Sequence, residues 1–222
     1  MTIDALADRL PTAVGLRAVT YDVERADEWA SWLSGEEREC IAGFGAESRR
    51  HEFLAGRAAA RQLLAARLSV SPADVPLRRD ADGGVSVDGA DWSVSIAHSG
   101  PHAVAACART PIGVDLEQIQ ARDPAIATFL FRPADRGLVD RLPYGPDAAL
   151  ILCWSLKEAV LKARRSGFRT SPKDLRLTVD PDSETAGIEV DGDPPWHVVY
   201  ARFDGYWAAV AVPDNPGEGP AP

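Results

Sequence analysis

The chain has 222 residues, 45% of them hydrophobic, and a formal net charge of −9. That length and apolar content suffice for one large domain or two small ones; the acidic balance, with no basic tract or arginine-rich arm, excludes general nucleic-acid binding. No run approaches the roughly 18 apolar residues of a membrane span, the start Met1-Thr2-Ile3-Asp4 lacks a basic signal-peptide region, and Cys40, Cys107 and Cys153 show neither zinc spacing nor a disulfide framework, so a cytoplasmic protein with buried thiols and no membrane contact is expected.

In chain order, Leu16 to Val23 alternates like a half-buried strand, and a short helix follows from about Asp27 to Leu33. Ser34-Gly35-Glu36-Glu37 resembles a helix cap with acids in the first turn. It opens a helical region that breaks near Gly43-Phe44-Gly45 and then runs to Leu68. The later part puts Arg57 and Arg61 on one face, a pattern that means either a solvated face or an anion site. Residues 71–89, rich in Pro, Asp and Gly, read as a loop. Strands follow at Trp92–His98, His102–Ala108 and Ile112–Glu117, joined by short turns. In the last of these Asp115 and Glu117 share one face, where they repel and call for a cation.

Short helical segments are expected between about Pro124 and Leu142, then a long helix over about Pro146 to Arg165. Strands are expected at 175–179, 188–190, 196–203 and 206–212. Helices followed by antiparallel strands, twice, indicate an α+β protein of two similar lobes, each with helices on a small antiparallel sheet. The expected division is 1–110, 111–212 and a disordered tail over 213–222.

The long helix is the chemically unusual element. Leu152, Leu156, Ala159, Val160 and Ala163 form an apolar stripe, while Trp154, Glu158 and Lys162 fall at i, i+4 and i+8 on another face. Alone, Glu158 and Lys162 would be an ordinary surface pair. Lysine usage argues for more: of 24 basic residues only Lys157, Lys162 and Lys173 are lysine, and two of these stand six residues apart or less on this helix. A compact, flexible ammonium suits a moving phosphate better than a planar fork does.

Gly113-Val114-Asp115-Leu116-Glu117 and, about forty residues on, Trp154-Ser155-Leu156-Lys157-Glu158-Ala159-Val160-Leu161-Lys162 together resemble the signature of the 4′-phosphopantetheinyl transferases. Ser95-Ile96-Ala97-His98-Ser99-Gly100 is similar to a third motif of that family, and the two-lobed length to its larger, monomeric, surfactin-synthetase-activating type. The resemblance implies a pseudo-dimeric fold and transfer of 4′-phosphopantetheine from coenzyme A to a serine of an acyl or peptidyl carrier protein, with Mg2+, releasing adenosine 3′,5′-bisphosphate. It implies Asp115, Glu117 and Glu158 as metal ligands, Glu158 also as the base or its positioner, and Lys162 on the pyrophosphate. Arg49, Arg57 and His98, with Ser99 beside it, would bind the coenzyme's 3′-phosphate, and Arg79 is a further candidate. Many relatives have Gly-Lys-Pro where this chain has Gly83-Gly84-Val85, which puts one such contact in question. Because the enzyme is itself acidic, a carrier has to be met locally; Arg164, Arg165, Arg169 and Lys173 form a basic cluster, with Gln118, Ile119 and Phe129 to Phe131 as apolar anchors. The competing readings are a catalytically silent coenzyme A- or carrier-binding module and a magnesium-dependent phosphohydrolase.

Overall fold

A computed structural model describes residues 3–80, 84–123, 125–165 and 169–214, the side chain of residue 4 excepted. Residue 83 of the departing tripeptide and the tail from 215 on therefore lie outside the described residues. The chain divides into two compact units, residues 11–109 and residues 1–10 with 110 onward.

In the unit of residues 11–109, β1 (Gly15–Thr20), β5 (His102–Ala108) and β4 (Ser93–Ser99) form an antiparallel sheet in that order. The turn between β4 and β5 reverses at Gly100, whose φ of 58° is a left-handed conformation that glycine adopts without a Cβ penalty. Helix α4 (Glu47–Leu68) packs across all three strands, its alanine-rich centre buried. Before it come α2 (Ala26–Ser31) and α3 (Gly35–Ala42). The cap expected at Ser34 forms as a reciprocal capping box, with the Ser34 side chain on the Glu37 N–H and the Glu37 side chain on the Ser34 N–H. Where a loop is expected over 71–89, two three-residue strands, β2 (Leu77–Arg79) and β3 (Val85–Val87), pair antiparallel. Such strands are too short to show a periodicity; they are held by burying Leu77, Val85 and Val87 in the same apolar cluster as Leu64 and Val94.

The second unit carries a five-stranded antiparallel sheet in the order β6 (Gly113–Gln118), β10 (Tyr206–Pro213), β9 (Trp196–Phe203), β8 (Thr185–Glu189), β7 (Arg176–Asp180). Helix α7 (Pro146–Ala163) lies on it, chiefly against β6 and β10. Pro146 at the first turn begins it without losing a needed N–H. Its stripe of Leu152, Leu156, Ala159, Val160 and Ala163 is buried in a core with Val198, Tyr200, Trp207 and Ala209. The short helices α5 (Ala125–Leu130) and α6 (Leu138–Arg141) precede α7. Both units are thus helices on antiparallel sheet, the α+β class read from the sequence.

Where the sequence division assigns all of 1–110 to the first lobe, residues 3–10, including α1 (Asp4–Ala7), group with the second unit. The reason is Arg9, whose guanidinium donates to Glu184 Oε2 and to the carbonyls of Ser183, Glu184 and Tyr200 at 2.6–3.0 Å. Ser183 and Glu184 sit at the turn between β7 and β8, where Glu184 adopts a φ of 49°, and Tyr200 on the neighbouring β9. Arg9→Ala is expected to destabilise this unit by about 1–2 kcal/mol, the arginine being partly solvated, and a urea titration of both proteins measures the difference. Among the described residues no helix is long and apolar enough to cross a membrane.

Candidate active site

The second unit brings the β6 carboxylates against one face of α7. The approach is close at Gly113, where an added Cβ would collide with the carbonyl oxygen of Ala159 and lie 2.5 Å from the Ala163 nitrogen. From that contact β6 runs on to Asp115 and Glu117, and the i, i+4, i+8 face of α7 meets them in turn. Lys162 Nζ donates to Asp115 Oδ1 at 2.7 Å, and Trp154 Nε1 donates to Glu117 Oε1 at 3.0 Å. Glu158 lies one helical turn from each of these residues and is half-buried. Arg122 Nη2 reaches Glu117 Oε2 at 3.3 Å. The cations that paired carboxylates require are therefore Lys162, legible from its spacing, and Arg122, for which a loop position gives no periodic signal.

Asp115 is 4% exposed, and its second oxygen, Oδ2, has no hydrogen-bond partner among the described residues. Burial pushes the Glu117 carboxyl up, helped by the Asp115 charge and opposed by Arg122, Trp154 and Lys162. Glu158 moves the same way for the same two causes, burial and then Asp115, with Lys162 opposing. A cluster of three carboxylates on one lysine and one arginine is short of positive charge. Its donors are hard oxygens, and one buried oxygen is unpaired, which is the donor chemistry of a divalent magnesium site. Among the described residues, however, no group of three His, Cys, Asp or Glu side chains is arranged to hold an ion; Lys162 and Arg122 occupy carboxylate oxygens that an ion would take.

Lys157, one residue from Glu158, does not join the cluster. It is 2% exposed and points the other way, donating to the carbonyls of Leu130 at 2.7 Å and Pro172 at 2.9 Å, with its ammonium 4.7 Å from the Phe131 ring centroid. Burial lowers its pKa to about 8. The helix has two lysines five positions apart, and they face opposite sides: Lys162 meets the carboxylate of Asp115, and Lys157 ties α7 to α5 and to the turn at Pro172. Lys157→Met leaves two carbonyls without donors and should cost about 1–3 kcal/mol, read as a lower midpoint in denaturant.

The remaining residues singled out in the sequence lie in the first unit. Arg57 is 7% exposed and Arg61 2%, so the pair is not a solvated face. Both meet Glu37: Arg61 Nη2 at 2.6 Å from Oε2 and Arg57 Nε at 2.8 Å from Oε1, the latter an ion-pair distance at which the N–H is not aimed at the oxygen. Arg79 Nη1 lies 3.2 Å from the Cys40 sulfur, and the Arg79 charge is close enough to depress Arg57, behind the larger effect of burial. Arg49 lies over the Phe44 ring at 5.6 Å, while His98 Nδ1 is 3.5 Å from Glu52 Oε2 and Ser99 pairs with His102 at the end of the β4–β5 ladder. Glu37, which binds both arginines, reads in the sequence only as a first-turn acid; the capping-box spacing is its one local signal.

Two features expected of a carrier surface are altered. Arg164 is bound to Asp193 and Thr170, which makes it a structural contact within the unit and removes it from the basic cluster. Of the run Phe129 to Phe131, only Phe129 is exposed, at 43%, with its ring 6.0 Å from Trp154; Leu130 and Phe131 are core.

The sequence model described as the 4′-phosphopantetheinyl transferase superfamily matches residues 111–211, and that of the 4′-phosphopantetheinyl transferase N-terminal domain matches residues 36–108. A phosphopantetheinyl transferase of Thraustochytrium sp. is 30% identical over 90% of this chain and 77% of its own. The 4′-phosphopantetheinyl transferases Sfp and ffp of Bacillus subtilis are each 24% identical, over 87% of this chain and 88% of theirs. With both units matched and these relatives aligned along most of the chain, the chain belongs to the 4′-phosphopantetheinyl transferase superfamily, as an enzyme of the larger, Sfp-like type.

Proposed function

We propose that this enzyme transfers the 4′-phosphopantetheine of coenzyme A to a serine of an acyl or peptidyl carrier protein, with magnesium, releasing adenosine 3′,5′-bisphosphate, and that it acts as a monomer. The observation that carries the reading is the meeting of Asp115, Glu117, Glu158 and Lys162 on one face between β6 and α7, with Asp115 Oδ2 unpartnered. Asp115, Glu117 and Glu158 are the residues that would hold magnesium, which when bound supplies polarisation of the pyrophosphate and stabilises the leaving group.

Lys162 has a second task open to it. Its side chain is about a third exposed, so it can leave Asp115 and place its ammonium on a pyrophosphate oxygen, trading one anion for another. Glu158, half-buried on the same face, would take the proton of the attacking serine hydroxyl or orient the group that does. In the other unit Arg57 offers its guanidinium fork to the 3′-phosphate, with Arg79 near it and Arg49, His98 and Ser99 as further candidates.

The deciding experiment incubates the enzyme with coenzyme A, magnesium and an apo carrier protein and weighs the carrier. A gain of one phosphopantetheine is expected. No gain on a carrier that another transferase modifies would overturn the reading, and phosphate release from coenzyme A without any carrier would favour a hydrolase.

A further inference from the structure

We propose that Glu37 is a positioning residue for coenzyme selection: it holds Arg57 so that the guanidinium fork is presented to the 3′-phosphate. The proposal rests on the reading of Arg57 as a 3′-phosphate donor. Helix α3 is short, and Glu37 is its one buried residue, at 4% exposure. An acid needed only for the helix dipole would stay in water; this one is turned inward and serves three groups, the Ser34 N–H at 3.0 Å, Arg61 at 2.6 Å and Arg57 at 2.8 Å.

The two arginines are used differently. Arg61 spends both terminal nitrogens inside the protein, Nη2 on Glu37 and Nη1 on the carbonyls of Pro72 and Val75 at 3.1 and 3.0 Å. Arg57 meets the same carboxylate through Nε, at an ion-pair distance with the N–H not aimed at the oxygen, so Glu37 holds it by charge. Two guanidiniums on one carboxylate leave one surplus positive charge, and the bonding of Arg61 puts it on the fork of Arg57. The Phe53 ring, 4.7 Å from the Arg57 guanidinium carbon, supports that group from one side. At 7% exposure the side chain has already lost most of its water, so an incoming phosphate meets a fork that is largely desolvated and held beforehand. Without Glu37 the fork would have rotamers to lose on binding, and Arg61 beside it would push it away.

The test measures steady-state transfer to an apo carrier with coenzyme A and with 3′-dephospho-coenzyme A. Glu37→Gln should lower the preference for coenzyme A by about tenfold, the low end of what a charge-assisted hydrogen bond contributes. The loss should appear in KM for coenzyme A, with kcat and the dephospho substrate nearly unchanged. A residue needed only for folding would lower both substrates together. Because the single variant leaves two arginines round a neutral amide, Glu37→Gln with Arg61→Met, which removes one charge of each sign, is measured in parallel and should lose the same preference. Arg57→Ala separates the two claims. If it keeps the wild-type preference, Arg57 does not bind the 3′-phosphate and the underlying reading fails. If it loses the preference while a folded Glu37 variant keeps it, the reading stands and the positioning role of Glu37 is overturned.

Discussion

Asp115→Ala should lower kcat/KM for carrier modification by about 10³-fold or more while changing stability by no more than about 1 kcal/mol. The two effects separate because of how Asp115 is held. Its Oδ2 is buried without a partner, and its charge raises both Glu117 and Glu158, so in the folded protein the carboxylate is a cost as well as a contact. What it offers in return is the ion pair with Lys162, whose side chain is 32% exposed and can turn to water when the partner goes. Removing the group therefore subtracts little from folding. Chemically it removes the one fully buried carboxylate oxygen of the cluster that has no protein donor among the described residues. Carrier mass spectrometry over a magnesium titration gives the rate and thermal melting gives the stability; near-normal turnover at limiting magnesium would refute Asp115 as a ligand.

Gly113→Ala should have the opposite balance, with a loss of about 3 kcal/mol or more in stability and loss of activity following from it. The added methyl would overlap the Ala159 carbonyl and approach the Ala163 nitrogen, both backbone atoms of α7, so no side chain can rotate to make room. Helix and strand have to part. That separation moves Glu158 and Lys162 away from Asp115 and Glu117, because the former ride on α7 and the latter on β6. Chemical denaturation should show a lowered midpoint, and in protein that remains folded the rate should stay depressed at saturating magnesium and coenzyme A. A variant as stable as wild type would mean that the approach at Gly113 is looser than the structure has it.

Gly113 also shows where reading the sequence reached its end. As part of Gly113-Val114-Asp115-Leu116-Glu117 it is a motif residue, but nothing local says that a helix some fifty residues later passes across its Cα. The α7 pattern is local: its apolar stripe, and Trp154, Glu158 and Lys162 on a separate face, follow from the helical repeat, and those three residues do end half-buried over the carboxylates. The Ser34–Glu37 capping box and the strands β4, β5 and β6 are legible for the same reason, since turn chemistry and alternation act over a few residues.

What lies beyond that range is the partner of each charge. Arg57 and Arg61 have the spacing of a solvated helix face and are buried, because Glu37, 24 residues before Arg61, turns inward from α3 to meet them. The spacing puts Lys162 on the face of Trp154 and Glu158 but names no partner for Lys157, which is fixed on the carbonyls of Leu130 and Pro172 while Lys162 meets Asp115, 47 residues away in sequence. Residues 3–10 cross to the second unit through the bonds of Arg9 to residues 174 to 191 positions on. Periodicity assigns a residue to a face of its own element. Which element covers that face, and hence whether a charge there is solvated, paired or held for a substrate, is settled by the packing of segments far apart in the chain.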